Sequence, residues 1–96
     1  MTPSVSSEAD WELTEGALFY AREANAEVGL AFILEYERAL ELLCGHPHLG
    51  APWNGRRRFP LRKFPYSIVY YVRGEELRMI VLAHHRRRPS YWTGRK

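Results

Sequence analysis

Cysteine is nearly absent from this 96-residue chain, and long apolar runs are missing altogether. Because Cys44 is the only cysteine, no internal disulfide can form, which is typical of proteins in a reducing compartment. No apolar run approaches the roughly 20 residues that a membrane-spanning helix needs, and the first residues show no signal-peptide pattern. We therefore expect a cytoplasmic protein that makes no contact with a membrane.

Glycine-rich phosphate loops, internal repeats and paired metal ligands are missing as well. Cys44, His46 and His48 lie close together in the sequence, but no second ligand pair accompanies them. We therefore expect neither a metal site nor a cofactor. The composition, 46% hydrophobic and 26% charged residues, is that of one globular domain over residues 1–96.

The formal net charge of +3 is the sum of two halves of opposite sign. Residues 1–55 carry two arginines against nine acidic residues, a net charge of −7. Residues 56–96 carry twelve basic residues against two glutamates, a net charge of +10, and only Lys63 and Lys96 are lysines. Because arginine binds carboxylates and phosphates through a planar fork of donors, the second half is where an anionic partner is expected.

Hydrophobic periodicity predicts two helices in the acidic half. Apolar residues recur at helical spacing over residues 8–24, with Ser7 as the expected N-cap. A second helical stripe covers residues 29–43 and is ended by Gly45. The break between the two is expected within residues 25–29. This half therefore predicts a helical hairpin.

The basic half predicts β-strands. Residues 66–72 and 77–83 are rich in β-branched and aromatic side chains and are joined by a short turn. Residues 56–64 alternate only in part and contain Pro60, which is typical of an edge strand or a bulge, and residues 46–55 have loop composition. Because 77–83 is almost wholly apolar, it is expected at the centre of the sheet. The expected fold class is α+β, with the helical hairpin packed on a three- to four-stranded antiparallel sheet.

The order of these segments resembles the RelE/ParE toxin superfamily. The resemblance rests on Phe64 to Tyr70, on Ile80 to His84 and on the closing Arg-Arg-x-Pro-x-Tyr-Trp sequence, and it extends over about residues 8–92. It implies a toxin of a type II toxin–antitoxin pair, neutralised in a hetero-oligomer by an antitoxin that wraps on it. The superfamily normally has a β-strand before the hairpin. Here Ser4-Val5 is the most that can pair, so that strand is expected to be short or missing and the sheet edge unprotected.

Two mechanisms within the superfamily draw on different features of this chain. ParE-like members inhibit growth by binding DNA gyrase without catalysis, and the closing motif and the scarcity of lysine favour this interpretation. RelE-like members are ribosome-dependent mRNA endoribonucleases. On that alternative, the acid–base and phosphate-binding groups are Arg62, His84, His85, Arg87 and Tyr91. A third alternative is an inactive member that only binds its antitoxin.

Two arginine triplets and the basic or aromatic residues beside them are expected to bind the partner or the target. The set is Arg56, Arg57, Arg58, Arg62, Lys63, Arg86, Arg87, Arg88, Tyr91 and Trp92. An acidic antitoxin segment accounts for this positive charge as well as RNA does. We favour a protein partner because charge alone attracts without specificity. The glutamate-rich face of the hairpin is expected to remain free.

Overall fold

Two helices pack on a five-stranded sheet in the computed structural model, which describes the backbone of residues 1–96 and every side chain except those of Pro89 and Ser90. In chain order the elements are β1 Thr2–Val5, α1 Ser7–Glu23, α2 Ala26–Gly45, β2 Ala51–Trp53, β3 Arg56–Pro60, β4 Tyr66–Arg73, β5 Glu76–His84 and a 3-10 helix Pro89–Trp92. The strand order is β1-β5-β4-β3-β2, with only β1–β5 parallel. The α+β class and the helical hairpin are confirmed, whereas the strand count is higher than expected and the sheet is mixed.

Polar caps begin both helices. The prediction that Ser7 is the N-cap of α1 is wrong. The cap is Ser6, which has an extended backbone and whose Oγ accepts the N–H of Ala9 at 3.1 Å. Ser6 also donates its hydroxyl to the carbonyl of Ile80 at 3.3 Å, so the same side chain joins α1 to β5. Asn25 caps α2 in the same way at 3.0 Å, within the predicted break. Neither helix of the described chain has the length and apolarity needed to cross a bilayer.

The first strand is short but longer than the two residues expected. β1 pairs in parallel with the start of β5 over four residues. The N–H group of Thr2 donates to the carbonyl of Glu75, the residue just before β5, and the N–H group of Ser6 donates to the carbonyl of Met79 in β5. Because hydrogen-bonding direction alternates along a strand, Pro3 faces the outer edge, where its missing N–H removes a donor. That edge is therefore blunted by proline, contrary to the expectation that it is unprotected.

The segment 46–55, expected to be loop throughout, contains the edge strand β2. This strand is only three residues long and includes Pro52, which an edge position tolerates. β3 ends at Pro60 instead of continuing to residue 64, and β2 reaches only as far as Arg58. Pro60 therefore lies at a local edge of a strand that is otherwise internal.

Different layers cover the two faces of the sheet. The helices cover the first face, where the buried core comprises Ala9, Phe32, Tyr36, Ala39, Leu43, Leu61, Ile68, Tyr70, Leu77, Met79 and Leu82. The second face is partly covered by the 3-10 helix, with Val69, Ile80, Val81, Ala83 and Trp92 buried and Trp53, Tyr71 and Tyr91 packed against them.

A β-bulge in β5 allows both faces to be filled. Val69 lies opposite Val81 and Tyr70 lies opposite Met79, so Ile80 is an extra residue in the ladder. Ile80 and Val81 consequently both pack on the second face. β5 lies between β1 and β4, as its apolar sequence predicts.

Candidate functional site

An open groove of about 490 Å³ runs between α1 and the carboxyl end of β5. We call it the α1 groove. One wall is formed by α1 and the other by the strands and the C-terminal segment; the lining residues are Trp11, Glu12, Glu15, Gly16, Leu18, Phe19, Arg22, Tyr66, Leu82, His84, Arg87 and Tyr91.

The α1 wall of this groove is apolar and exposed. Trp11 is 62% exposed, Leu18 is 51% exposed and Phe19 is 48% exposed. Neighbouring exposed apolar side chains of this size are typical of binding surfaces. Sequence reasoning missed these residues because it followed only the core stripe of the helix. Leu18 and Phe19 follow Trp11 by seven and eight residues, which is about two turns of helix. This spacing indicates a second apolar stripe on α1 and could have identified these residues.

The opposite wall carries a cation and a histidine. The guanidinium carbon of Arg87 lies 4.4 Å from the ring centre of Tyr91, and His84 packs edge-on against Tyr66. His84 Nδ1 accepts the backbone N–H of Arg86 at 3.0 Å. Burial, followed by the positive charge of Arg86, lowers the pKa of His84 below its usual value. His84 is therefore neutral at physiological pH, with its proton on Nε2.

Glu12 joins the two walls. Its carboxylate accepts the Tyr91 hydroxyl at 3.0 Å, both terminal nitrogens of Arg95 at 2.8 and 3.2 Å, and the N–H of Leu82 at 3.1 Å. β1 ends opposite Met79, so this carboxylate takes the place of a neighbouring strand at Leu82. Burial and the negative charge of Glu12 raise the pKa of Tyr91, which keeps its hydroxyl protonated and donating.

A second, smaller cavity of about 150 Å³ lies over the second face of the sheet, and we call it the arginine pocket. Cations, histidines and aromatic rings line it: Trp53, Arg58, Ala83, His84, His85, Arg87, Arg88, Tyr91 and Trp92. Arg58 stacks on Trp53, with its guanidinium carbon 4.7 Å from the ring centre. His85 Nε2 lies 2.9 Å from Ser67 Oγ, a hydrogen bond that orients the imidazole.

The structure therefore brings seven of the predicted residues together at the groove and the pocket: Arg58, His84, His85, Arg87, Arg88, Tyr91 and Trp92. The other predicted residues lie elsewhere. Arg57 points to the other side of β3 from its neighbours and donates to the carbonyl of Gly50 at 2.8 Å, whereas Arg56 stacks on Tyr71 at 4.6 Å.

Three further predicted residues line neither cavity. Arg62 donates its backbone N–H to the carboxylate of Glu35 at 2.7 Å, and its side chain is exposed. Lys63 and Arg86 are also exposed, and Lys63 has a positive φ of 67° in the turn between β3 and β4. The proposed nuclease set is thus divided, with Arg62 apart from His84, Arg87 and Tyr91.

Comparison with known proteins gives one family and one fold. The family model described as "ParE toxin of type II toxin-antitoxin system, parDE" matches residues 4–89. A solved structure titled "Chromosomal ParDE TA system from P. aeruginosa" is similar in fold, with a TM-score of 0.77 and 18% identity over 88% of this chain and 95% of that chain. No curated protein matches the sequence.

Proposed function

Because this chain belongs to the ParE toxin family of type II toxin–antitoxin systems, we propose that a cognate antitoxin neutralises it and that the free toxin inhibits growth by binding DNA gyrase. The observation that carries this proposal is the family match over residues 4–89, nearly the whole chain. The fold shared with a ParDE system supports it at the level of architecture.

The α1 groove is the surface that best suits the antitoxin. Its α1 wall offers Trp11, Leu18 and Phe19 to apolar side chains, and Arg22 and Arg87 lie on opposite walls. An amphipathic segment with apolar and acidic residues complements both features. The antitoxin site therefore extends from the basic C-terminal segment onto α1, although α1 lies in the acidic half of the chain.

The geometry of the polar residues supports binding over RNA cleavage. Cleavage needs a base and an acid that face the same ribose and phosphate. Here the Tyr91 hydroxyl is engaged by Glu12 and His84 Nδ1 accepts the N–H of Arg86, while Arg62 lies outside both cavities. These contacts favour the gyrase-binding alternative of the family over the endoribonuclease alternative.

Inducible expression in bacteria, combined with a supercoiling assay on purified gyrase, tests this function. We expect filamentous growth arrest, loss of gyrase supercoiling, and rescue of growth when the adjacent antitoxin gene is co-expressed. Rapid translation arrest with cut mRNA contradicts the gyrase target in favour of the nuclease. Normal growth at good protein yield contradicts both activities and indicates an inactive antitoxin-binding member.

A pair of exposed leucines tests the antitoxin site within the same system. Leu18→Asp places a charge in the apolar wall of the groove, whereas Leu30→Asp makes the same change on α2 outside the groove; the two side chains are 51% and 56% exposed. We expect Leu18→Asp to weaken antitoxin affinity by about tenfold or more, as for a central interface residue, and Leu30→Asp to leave it unchanged. Equal affinities of the two variants contradict the proposed antitoxin site.

A further inference from the structure

We propose that the arginine pocket is a binding site for a single phosphate group, supplied as inorganic phosphate or as the terminal phosphate of a nucleotide. The pocket lies over the second face of the sheet, and Arg58 and Arg88 line it without lining the α1 groove. The inference goes beyond the toxin function and does not depend on it.

The charges around the pocket are all of one sign. Arg58, Arg87 and Arg88 all line a cavity of about 150 Å³, and no acidic residue lines it in the part of the chain whose side chains are described. The nearest carboxylate used in the groove, that of Glu12, is engaged by Arg95 and the Tyr91 hydroxyl. Three positively charged side chains around one small cavity repel each other, and a bound anion offsets that repulsion.

Aromatic rings hold two of these cations in place. Arg58 stacks on Trp53 at 4.7 Å and Arg87 stacks on Tyr91 at 4.4 Å. Among the described side chains, no hydrogen bond joins either guanidinium to a protein acceptor. Stacking fixes the plane of a guanidinium and leaves its N–H groups for an acceptor outside the ring. The pocket therefore presents donors that are oriented before any ligand arrives.

The indole of Trp92 forms part of the pocket wall. This ring lines the pocket and packs against Trp53 with ring centres 5.5 Å apart. Its Nε1–H is buried and has no acceptor among the described residues, although buried donors in native proteins are nearly always paired. Because this N–H has almost no accessible surface, it lies behind the pocket wall and adds no donor to the pocket.

Size and charge select phosphate among the possible anions. A cavity of about 150 Å³ is too small for a whole nucleotide, and Arg58 and Arg87 already cover Trp53 and Tyr91, the rings that could otherwise stack on a base. A phosphate monoester carries about −1.5 to −2 charges and three acceptor oxygens, which matches three guanidiniums. A carboxylate has one charge and two oxygens, and it leaves most of the positive charge unbalanced.

Titration of the purified full-length chain, followed by calorimetry and by phosphorus NMR, tests this site. The probes are inorganic phosphate, adenosine monophosphate and acetate at fixed ionic strength. We expect one phosphate per chain, binding well above acetate, and at least tenfold weaker binding by Arg58→Gln and by Arg88→Gln, since each removes charge-assisted hydrogen bonds. Arg73→Gln is the matched control, because Arg73 is exposed and stacks on Tyr71 outside the pocket. It should change the affinity less than twofold.

Three outcomes overturn the site: no phosphate binding at millimolar concentration, acetate binding as tight as phosphate, or equal weakening by Arg73→Gln, which indicates a diffuse positive surface. Adenosine monophosphate binding as tightly as inorganic phosphate identifies a nucleotide terminus as an acceptable source, and binding of inorganic phosphate alone identifies the free ion. Circular dichroism spectra and melting temperatures that match those of the natural sequence show that both variants fold. Failure of phosphate binding and failure of the toxin function are thus separate results.

Discussion

Glu12 shows how one carboxylate can complete a sheet. β5 is longer than β1, so beyond Met79 its outer edge has no strand to pair with. Glu12 reaches from α1 to the N–H of Leu82 and at the same time holds Arg95 and Tyr91 of the C-terminal segment. The side chains of Glu12 and Arg95 are only 16% and 18% exposed, so this ion pair is less screened by solvent than a surface pair.

Replacement of Glu12 by alanine is expected to destabilise the fold. Glu12→Ala leaves a tyrosine hydroxyl and a backbone N–H without their acceptor, and it leaves the partly buried guanidinium of Arg95 without its counter-charge and with only the carbonyl of Ile80 as acceptor. The expected loss of unfolding free energy is about 2–4 kcal/mol, as for breaking other partly buried ion pairs. Urea denaturation measures it, with Glu15→Ala as control, because Glu15 is exposed on the same helix and its loss should cost less than about 0.5 kcal/mol. Equal effects of the two changes contradict the structural role of Glu12.

The role of Glu12 could not be predicted from the sequence. Its partners lie 70 to 83 residues away, and no local pattern distinguishes it from the other glutamates of α1. The neighbouring residues His84, Arg87 and Tyr91 could be grouped in advance because they are close along the chain. Sequence reasoning therefore grouped the C-terminal residues that line the groove and missed the lining residues of α1.

Among the elements, those with their own periodicity were predictable and the short edge strands were not. α1, α2, β4 and β5 follow helical or β patterns that were visible in the sequence. β1 and β2 have four and three residues, and each contains a proline. Such strands are specified by the partner with which they pair more than by their own propensity. The parallel pairing of β1 with β5 joins distant parts of the chain and has no local signal.

α1 and α2 are in close contact at Gly29. A Cβ on Gly29 would lie 2.8 Å from the carbonyl oxygen of Ala17 and 3.2 Å from Ala21 Cβ, whereas a Cβ on Gly45 meets nothing within 4 Å. Gly29→Ala should therefore separate the helices and lose about 1–3 kcal/mol, more than the roughly 1 kcal/mol that alanine gains in a helix.

Thermal denaturation followed by circular dichroism measures this effect, with Gly45→Ala as the matched control. Gly45 is exposed at the end of α2, so the same substitution should leave the melting temperature unchanged or slightly raised. A rise in melting temperature for Gly29→Ala as well would show that helix propensity, not interhelical distance, determines stability at this position.

At the scale of the whole molecule, the two charge halves occupy different parts of the fold. The acidic half supplies both helices and the edge strands β1 and β2, and the basic half supplies the inner strands β3, β4 and β5 and the C-terminal segment. Among the described residues, the Arg95–Glu12 ion pair joins these halves directly. The basic sheet face is thus left to attract anions, as the charge distribution along the sequence predicts. The α1 groove at the boundary between these parts could not be predicted, because it forms only when α1 packs beside β5.

Burial of tyrosines makes the whole molecule sensitive to alkaline pH. Burial raises the pKa of five tyrosines, namely Tyr20, Tyr36, Tyr66, Tyr70 and Tyr91. In the unfolded chain a tyrosine loses its proton near pH 10, whereas in the folded chain these five keep theirs to higher pH. The unfolded state then binds fewer protons than the folded state, so stability is full below about pH 10 and falls above it.

Tyr36 allows a direct measurement of this effect. Its ring is buried in the helix-facing core, and burial with the nearby charges of Asp10 and Glu37 raises its pKa to about 12. Between about pH 10 and 12 this one residue should reduce the unfolding free energy by up to about 1.4 kcal/mol per pH unit. Urea midpoints measured from neutral to alkaline pH should therefore fall less steeply in Tyr36→Phe than in the natural sequence, with similar values near pH 7. Parallel curves for the two proteins would show that Tyr36 ionises as easily in the folded chain as in the unfolded one.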